Sequence, residues 1–231
     1  MREPAENTSA SCGDPERSIR AQERFVALWN RIATGGPIPV EAIFVRLSRL
    51  YGEAHRRYHT LDHIRHCLEE FDQAKGLIDD PDAVEMGLWF HDAIYRSGAR
   101  DNEWRSAELF REWSEGFVNP AFGERVRDLI LVTTHRAAPA APDQRYIADI
   151  DLSSFGLPWD EFERDGRHIR AEFANVSDEG YYPGHLRFLL SLLDRPTFFL
   201  TEHFRRRYER IARANARRVV ADLRARGYGV A

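Results

Sequence analysis

Four short segments of the chain carry the side chains best suited to metal chemistry. They are residues 58–63, 88–92, 134–135 and 148–153. The adjacent pair His91-Asp92 sits in an otherwise apolar helical stretch, where burying an unpaired charge is costly. A divalent cation would satisfy the imidazole and the carboxylate together. Histidine nitrogen and aspartate oxygen suit manganese, iron, cobalt, nickel or zinc. The pattern therefore predicts a transition-metal site, with magnesium as an option for a second ion.

Separate helices would have to position these ligands. One predicted helix offers His63, a second offers His91 and Asp92, and a later segment offers an aspartate. Ligands that project inward from different helices are a common way for helical bundles to hold metals. His59 lies four residues before His63, so on a helix the two would share a face. Because activated water needs a nearby group for proton transfer, His59 is predicted to serve as that group.

The order His…His-Asp…Asp resembles the signature of the HD superfamily of metal-dependent phosphohydrolases. Residues 58–63 are also similar to the Tyr-His-Asn-x-x-His segment of cyclic-nucleotide phosphodiesterases, with Thr60 in place of the asparagine. This resemblance implies that His59 is the general acid and that His63 is the first metal ligand. It also implies that His91 and Asp92 are paired ligands, with Asp92 able to bridge two metals.

The last ligand is less sharply defined by the sequence. Asp151 begins an Asp-Leu-Ser segment that resembles the one in the phosphodiesterases, and we favour it as the ligand. Asp149 is the alternative. In the favoured assignment, Asp149 would instead cap a helix or orient a ligand through a hydrogen bond.

Residues 25–227 as a whole resemble a bacterial branch of predicted HD phosphohydrolases. The matching positions are Asp101-Asn102-Glu103, Ser106-Ala107 and the pair Asp149/Asp151. The branch implies a reaction class but no substrate. The chain lacks most of the length of the phosphodiesterases, and their nucleotide-gripping glutamine is not identifiable. Cyclic nucleotides are therefore not implied.

Apolar residues recur at helical spacing nearly throughout the chain, which predicts an all-α, single-domain helical bundle of the HD type. The first four helices are expected around residues 25–32 (closed by Gly35-Gly36-Pro37), around residues 40–51, after Thr60, and from Asp80-Pro81 through Ile94. The later ones are expected from an Asp101 cap through Phe110 and around residues 122–133, 146–155, 162–173, 185–193 and 198–223. No alternating run suggests a sheet. Residues 1–17 are predicted to be a disordered tail, and residues 18–231 the hydrolase domain. The tail is not typical of a signal peptide.

The composition is typical of a cytoplasmic globular protein. Of the 231 residues, 43% are hydrophobic and 30% are charged, and no apolar run is long enough for a membrane span. The two cysteines, Cys12 and Cys67, do not suggest a disulfide framework. With a net charge of −4, the chain has no overall attraction for nucleic acid.

Several further polar residues have two open interpretations. His135 could bind a second metal or touch phosphate, or it could be a histidine favoured by a helix terminus. Glu103 could activate water or orient a ligand, or it could stabilise its own helix as a first-turn acid. His55 and His66 continue the face of His59 and His63, but we interpret them as a loop residue and a surface residue.

Arginines are abundant near the C-terminus and close to the predicted site. The nine between Arg205 and Arg226 alternate with apolar residues, which indicates an amphipathic packing helix with a solvated basic face. Nucleic-acid binding is not expected there, because no aromatic platform accompanies them. Arg96, Arg100 and Arg136 could each hold a substrate phosphate.

Three functions compete at this stage. The first is a phosphohydrolase acting on a nucleotide or another small phosphate ester, in which water activated by the metal attacks phosphorus and His59 protonates the leaving oxygen. The second is a non-catalytic regulator that binds a metal or a nucleotide. The third is a di-iron oxygenase of the HD fold. Such oxygenases carry two extra histidines before the last aspartate, whereas this chain has only His135 there.

Overall fold

The part of the chain that the computed structural model describes, residues 15–36 and 39–229, consists of ten α-helices and their connections. In chain order they are α1 Pro15–Ile32, α2 Val40–Tyr51, α3 Leu61–Ala74, α4 Pro81–Phe90, α5 Asn102–Ser114, α6 Pro120–Val132, α7 Pro142–Asp151, α8 Trp159–Glu172, α9 Asp178–Leu193 and α10 Glu202–Ala225. Short 3-10 turns, Lys75–Leu77 and Leu152–Gly156, follow α3 and α7. Within the described residues there is no strand. The prediction of an all-α, single-domain fold is confirmed.

Polar residues at the N-cap begin several of these helices. Each accepts a hydrogen bond from a backbone N–H of the first turn, and these residues are Thr60, Asp80, Asn119, Ser177 and Thr201. Such caps satisfy donors that the helix itself leaves unpaired. The Thr60 cap fixes the start of α3 at Leu61, so His59 lies before the helix. The helical face on which His59 and His63 would have met therefore does not exist.

Helix α4 lies at the centre of the fold, since all of residues 83–90 are buried. It packs against α1, α3, α5, α6 and α7, and a helix surrounded in this way is apolar around its circumference. Gly87 allows the close approach to α7. A Cβ atom at this position would lie only 2.9 Å from Cδ1 of Ile147. The missing side chain thus brings together the ends of α4 and α7, which carry His91 and Asp151.

Helix α10 holds the segment that follows α7. Its apolar face packs on α9 and on the turn Leu152–Gly156, as the amphipathic pattern predicts. The side-chain amide of Asn215 donates to the carbonyl oxygens of Phe155 and Leu157, both at 2.9 Å. Because these carbonyls have no partner within a regular helix, the two hydrogen bonds fix the path of the chain just after Asp151.

Some helix boundaries differ from those expected. Helix α1 begins at Pro15, so the last three residues of the predicted tail are helical, whereas residues 1–14 and Pro37 lie outside the described residues. Asp101 stands before α5 as predicted, but its carboxylate does not cap the helix and instead pairs with Arg105 at 2.7 Å.

Helix α4 also ends earlier than expected, at Phe90, so Ile94 lies beyond it. The chain turns after His91 because side chains of α5 bind the backbone that follows. The Ser106 hydroxyl accepts from the N–H of Ile94 at 3.0 Å, and Asn102 pairs with both backbone groups of Arg96 at 3.0 Å. Among the described residues, no helix is both long and apolar enough to cross a membrane.

Candidate metal centre

Three helices bring four of the predicted site residues together. His63 lies in the first turn of α3, His91 is the C-cap of α4 and is followed by Asp92, and Asp151 is the last residue of α7. Both histidines are buried, and the side chains of the two aspartates are only 13% and 15% exposed. Two carboxylates and two imidazoles therefore share one almost dry pocket.

The donor atoms of these residues lie at similar distances from one another. Nε2 of His63 is 3.2 Å from Nε2 of His91. Nε2 of His63 is 3.6 Å from Oδ2 of Asp92 and 3.3 Å from Oδ1 of Asp151. Nε2 of His91 is 3.1 Å and 3.4 Å from the same two oxygens. Ligands about 2.1 Å from one cation are separated from each other by about 3.0–3.5 Å. The spacing therefore fits a set of four ligands around a single ion.

A hydrogen bond at Nδ1 of His91 indicates that its other ring nitrogen, Nε2, faces the cluster as an acceptor. Nδ1 lies 2.8 Å from the carbonyl oxygen of Leu88, which can only accept, so Nδ1 carries a proton. In the neutral ring, Nε2 then directs a lone pair at the oxygens of Asp92 and Asp151 and at His63. Acceptors gathered in this way are stabilised by positive charge between them, which a metal ion or a proton can supply. A backbone carbonyl that fixes the second nitrogen is also typical of metal-binding histidines.

The electrostatics of the cluster agree with this need for positive charge. Burial lowers the pKa of His91, but the carboxylates of Asp92 and Asp151 outweigh burial and raise that pKa well above its ordinary value. Burial raises the pKa of each aspartate, but the surrounding histidines lower it, so that both carboxylates have pKa values well below the ordinary range. The low pKa values favour ionised aspartates, which a bound cation would stabilise.

His135 holds the carboxylate of Asp151 in place. Its Nε2 lies 2.7 Å from Oδ2 of Asp151, while the other oxygen, Oδ1, faces the cluster. His135 has a φ of 53°, in the left-handed region that residues other than glycine adopt at a cost. Such strain is often kept where a side chain must be aimed. The structure therefore gives His135 a role that the sequence did not suggest, which is to orient Asp151.

Asp149 lies apart from the cluster. Its carboxylate accepts from the backbone N–H groups of Leu200 and Thr201 and from the Thr201 hydroxyl, at 2.7–3.1 Å. Burial is the largest influence on it and raises its pKa to about 6, against the effect of these donors. Asp149 thus joins α7 to the start of α10, whereas Asp151, two residues later, faces His63 and His91.

A buried cysteine that we did not predict adjoins the site. His63, Cys67, His91 and Asp151 form a group that could hold a metal ion, with one donor atom from each within 4.8 Å of the others. Cys67 follows His63 by four residues on α3, and this helical spacing was the available clue. Burial and the carboxylates of Asp92 and Asp151 raise the pKa of its thiol well above the ordinary value.

The position of the Cys67 thiol does not favour direct coordination. Its Sγ is almost equidistant from the two ring nitrogens of His63, 3.7 Å from Nε2 and 3.9 Å from Nδ1, so it lies beside the ring. A cation about 2.1 Å from Nε2 in the ring plane would then be about 4 Å or more from Sγ. Asp92 therefore completes the ligand set better than Cys67 does.

His59 lies next to the cluster and is oriented by a residue from a distant part of the chain. Its Nδ1 is 2.6 Å from Oε2 of Glu172, the last residue of α8. The other oxygen, Oε1, accepts from the backbone N–H groups of Arg57, Tyr58 and His59 at 2.7–3.0 Å. Because Glu172 follows His59 by 113 residues, sequence spacing gave no clue to this contact.

The pKa values of His59 and Glu172 favour a protonated, positively charged imidazole at His59. Burial lowers the pKa of His59, but the carboxylates of Asp92 and Glu172 outweigh it and raise the pKa above the ordinary value. Burial raises the pKa of Glu172, but the contact with His59 and the backbone donors lower it to about 2. The second ring nitrogen of His59, Nε2, has no hydrogen-bond partner in the described part of the chain.

A chamber of about 650 Å³ opens beside the cluster, a volume typical of small-molecule sites. At its inner end it is lined by His59, Asp92, Glu103, His135 and Asp151. The carboxylates of the cluster thus face the chamber. Burial raises the pKa of Glu103, a further carboxylate of the lining.

The remaining polar residues that we considered from the sequence lie elsewhere. Arg96, Arg100 and Arg136 do not line the chamber. Nε2 of His55 is 2.9 Å from the carbonyl oxygen of Tyr95, and Nε2 of His66 is 2.8 Å from the hydroxyl of Ser153. These two histidines therefore have their own partners outside the cluster. Compared with known protein families, with curated proteins and with solved structures, the chain gives no match.

Proposed function

We propose that the protein is a metal-dependent phosphohydrolase that acts on a nucleotide or another small phosphate ester. The observation that carries the proposal is the convergence of His63, His91, Asp92 and Asp151, in which the Nε2 atoms of the two histidines lie 3.1–3.6 Å from each other and from an oxygen of each aspartate. Their nitrogen and oxygen donors suit manganese, iron, cobalt, nickel or zinc. A cation bound by them would lower the pKa of a water molecule and would offset negative charge on the phosphoryl group.

His59 supports a hydrolytic role in preference to metal storage. Because Nδ1 donates to Glu172, the ring keeps a fixed orientation at the chamber wall. The carboxylates of Asp92 and Glu172 raise its pKa, which favours a proton on Nε2 that a leaving oxygen could take. A general acid must lie within hydrogen-bonding reach of the leaving group, and a residue that lines the chamber beside Asp92 meets that condition.

The chamber itself supports a small organic substrate. It is large enough for a phosphate ester with a bulky alcohol group, and the carboxylates that would hold the cation lie at its inner end. A structural metal site would instead be closed off on all sides by protein ligands. An accessible site beside a chamber is typical of catalytic metals.

The proposal is tested by metal analysis of the purified protein followed by a phosphate-release assay. We expect about one or two equivalents of a transition metal per chain, and release of phosphate from some members of a panel of nucleotides and sugar phosphates. The Asp92→Ala variant, purified in the same way, controls for contaminating phosphatases. A metal-loaded protein that releases no phosphate from any panel member would contradict the proposal and would favour a regulatory, non-catalytic role.

A further inference from the structure

One wall of the chamber is a continuous series of aromatic rings that starts at the metal-binding cluster. His135, which is hydrogen-bonded to Asp151, has its ring centre 6.5 Å from that of Phe188. Phe188 is 6.4 Å from Phe155, and Phe155 is 5.3 Å from Phe162. Phe188 is 36% exposed and lines the chamber together with Phe155 and Phe162. The wall therefore presents an uncovered apolar face to the chamber.

The series of rings ends at a cation. Phe162 lies 5.8 Å from Trp159, and the guanidinium carbon of Arg218 lies 3.7 Å from the centre of the Trp159 ring. A guanidinium stacked on an indole gains cation–π stabilisation and keeps its N–H edges free to bind a carboxylate or phosphate. Arg218 and Trp159 both line the chamber. The wall thus has the cluster at one end and a fixed positive charge at the other.

Arg218 differs from the other arginines of the chamber in having no carboxylate partner among the described residues. The other three each pair with one: Arg167 with Glu163 at 2.8 Å, Arg170 with Asp178 at 2.7 Å, and Arg226 with Asp178 at 3.6 Å. No carboxylate lies within ion-pair distance of Arg218 among the described residues, although Asp222, one helical turn further along α10, also lines the chamber and lies 3.6 Å from Arg226. An anion on a ligand would complement the charge of Arg218.

His185 adds an uncharged polar group to the lining of the chamber. Its ring stacks on that of Tyr181 with the centres 5.5 Å apart, and it has no hydrogen-bond or ion-pair partner in the described part of the chain. Burial lowers its pKa to about 4, so the ring is neutral near pH 7. A neutral imidazole can both donate and accept a hydrogen bond, and a mostly apolar pocket with a few such groups is typical of a specific small-molecule site.

We infer that the chamber selects phosphate monoesters whose alcohol group is an elongated, flat aromatic body that carries a second anionic group, and that Arg218 binds this second anion. The inference rests on the proposed function, which supplies the position of the phosphate next to Asp92 and Asp151. The rings from Phe188 to Trp159 pack against the aromatic body. A compact ester such as glycerol 3-phosphate contacts the inner end alone.

The test uses four phosphonates, which cannot be hydrolysed, and measures their binding to the manganese-loaded protein by calorimetry. They are methylphosphonate, 2-naphthylphosphonate, 6-carboxy-2-naphthylphosphonate and, as a longer version of the last, 4'-carboxybiphenyl-4-phosphonate. We expect the naphthyl compound to bind roughly tenfold or more tightly than the methyl compound because it contacts the rings. We expect the distal carboxylate to add roughly a further fivefold at one of the two lengths, the upper range for an exposed ion pair.

Arg218→Ala and Arg217→Ala form the matched pair of variants. Arg217 is the exposed neighbour of Arg218 and does not line the chamber. Arg218→Ala is expected to remove the gain from the carboxylate. It should leave binding of the plain naphthyl compound within about twofold, because that compound has no distal anion with which Arg218 could form an ion pair. Arg217→Ala is expected to change neither. Phe188→Ala should weaken both naphthyl compounds and leave methylphosphonate binding unchanged.

The inference is overturned if the carboxylate gives no gain at either length, if the gain persists in Arg218→Ala, or if none of the phosphonates binds. Its failure can be distinguished from failure of the proposed function. Calorimetry requires no turnover, so a carboxylate effect that depends on Arg218 can be measured even if no ester is hydrolysed. Equal hydrolysis of glycerol phosphate and naphthyl phosphates, with no effect of Arg218→Ala, would leave the phosphohydrolase proposal intact and overturn this one.

Discussion

The guanidinium of Arg56 donates to the backbone carbonyl oxygen of Asp92 at 2.7 Å. The same nitrogen donates to the carbonyl oxygen of His59 at 3.0 Å, and the second terminal nitrogen donates to that of Ala93 at 2.9 Å. The side chain of Arg56 is fully buried. One buried cation therefore ties the loop that carries the proposed acid to the turn that carries a proposed ligand.

We expect Arg56→Met to damage stability and the site together. It would leave three carbonyl oxygens without a buried donor, and each such loss costs about 1–3 kcal/mol. The free energy of unfolding, measured by urea denaturation, should fall by about 3 kcal/mol or more. Metal affinity and turnover should fall as well. The exposed neighbour provides the control, since Arg57→Met should cost less than about 1 kcal/mol. An Arg56→Met protein of unchanged stability would show that the three contacts are dispensable.

Replacing Asp92 and His59 should separate metal binding from acid catalysis. Asp92→Ala deletes a charged ligand, so it should remove most of the bound metal, as measured by mass spectrometry of the purified protein. His59→Ala should leave the metal content nearly unchanged and lower turnover by roughly 10²–10⁴-fold, the usual contribution of a positioned acid or base. If His59→Ala loses as much metal as Asp92→Ala, then His59 is a ligand and its assignment as the acid is wrong.

The two aspartates of α7 should differ in what their loss affects. Asp151→Asn is expected to abolish metal-dependent hydrolysis, because Oδ1 of Asp151 faces His63 and His91. Asp149→Asn should weaken hydrolysis much less and act mainly on stability, because its carboxylate bonds Leu200 and Thr201 and does not contact the cluster. Metal affinity measured for both variants decides which aspartate is the last metal ligand. Full metal binding by Asp151→Asn, with loss of binding in Asp149→Asn, would assign that role to Asp149.

Glu172→Gln should change the pH dependence of turnover. The carboxylate of Glu172 contributes to the raised pKa of His59, and the proposed mechanism requires His59 to be protonated. Activity should therefore fall as pH rises through the pKa of His59. Without the negative charge this pKa decreases, so the fall should occur at lower pH in Glu172→Gln than in the wild type. The metal content should be unchanged. A lower rate with an unshifted pH profile would mean that Glu172 serves the local structure alone.

Gly87→Ala should destabilise the contact between α4 and α7. The new Cβ would lie 2.9 Å from Cδ1 of Ile147, and overpacking of this kind costs about 1–3 kcal/mol. Gly123→Ala in α6 is the control. Nothing lies within 4 Å of a Cβ at that position, so the change should be neutral or slightly stabilising.

A second variant attributes the effect of Gly87→Ala to the contact itself. Ile147→Val removes the Cδ1 atom that a Cβ at position 87 would meet, so the double variant should regain part of the lost stability. Thermal denaturation of the single and double variants measures this coupling. Strictly additive losses would show that the two helices accommodate the methyl group without contact between these residues.

The sequence by itself determined the helical fold and indicated His63, His91 and Asp92 for the candidate centre, while Asp149 and Asp151 remained alternatives for the last ligand. Apolar spacing and capping residues such as Thr60 and Asp80 act over a few residues, so they can be interpreted without a structure. The same holds for His91-Asp92, since a charged pair next to an apolar helix needs a counter-charge wherever the helix packs. The end of α4 was placed too late, because side chains of α5 turn the backbone at Ile94.

The tertiary structure alone decided which polar groups meet. Glu172 reaches His59 across 113 residues, and Asp149 binds Thr201 across 52. The chamber wall likewise combines residues from α8, α9 and α10. These contacts depend on how whole helices pack, and a side chain's local sequence does not specify the partner that a distant helix brings to it. For the same reason, the sequence placed candidate phosphate-binding arginines at Arg96, Arg100 and Arg136, whereas the packed helices place Arg218 at the chamber.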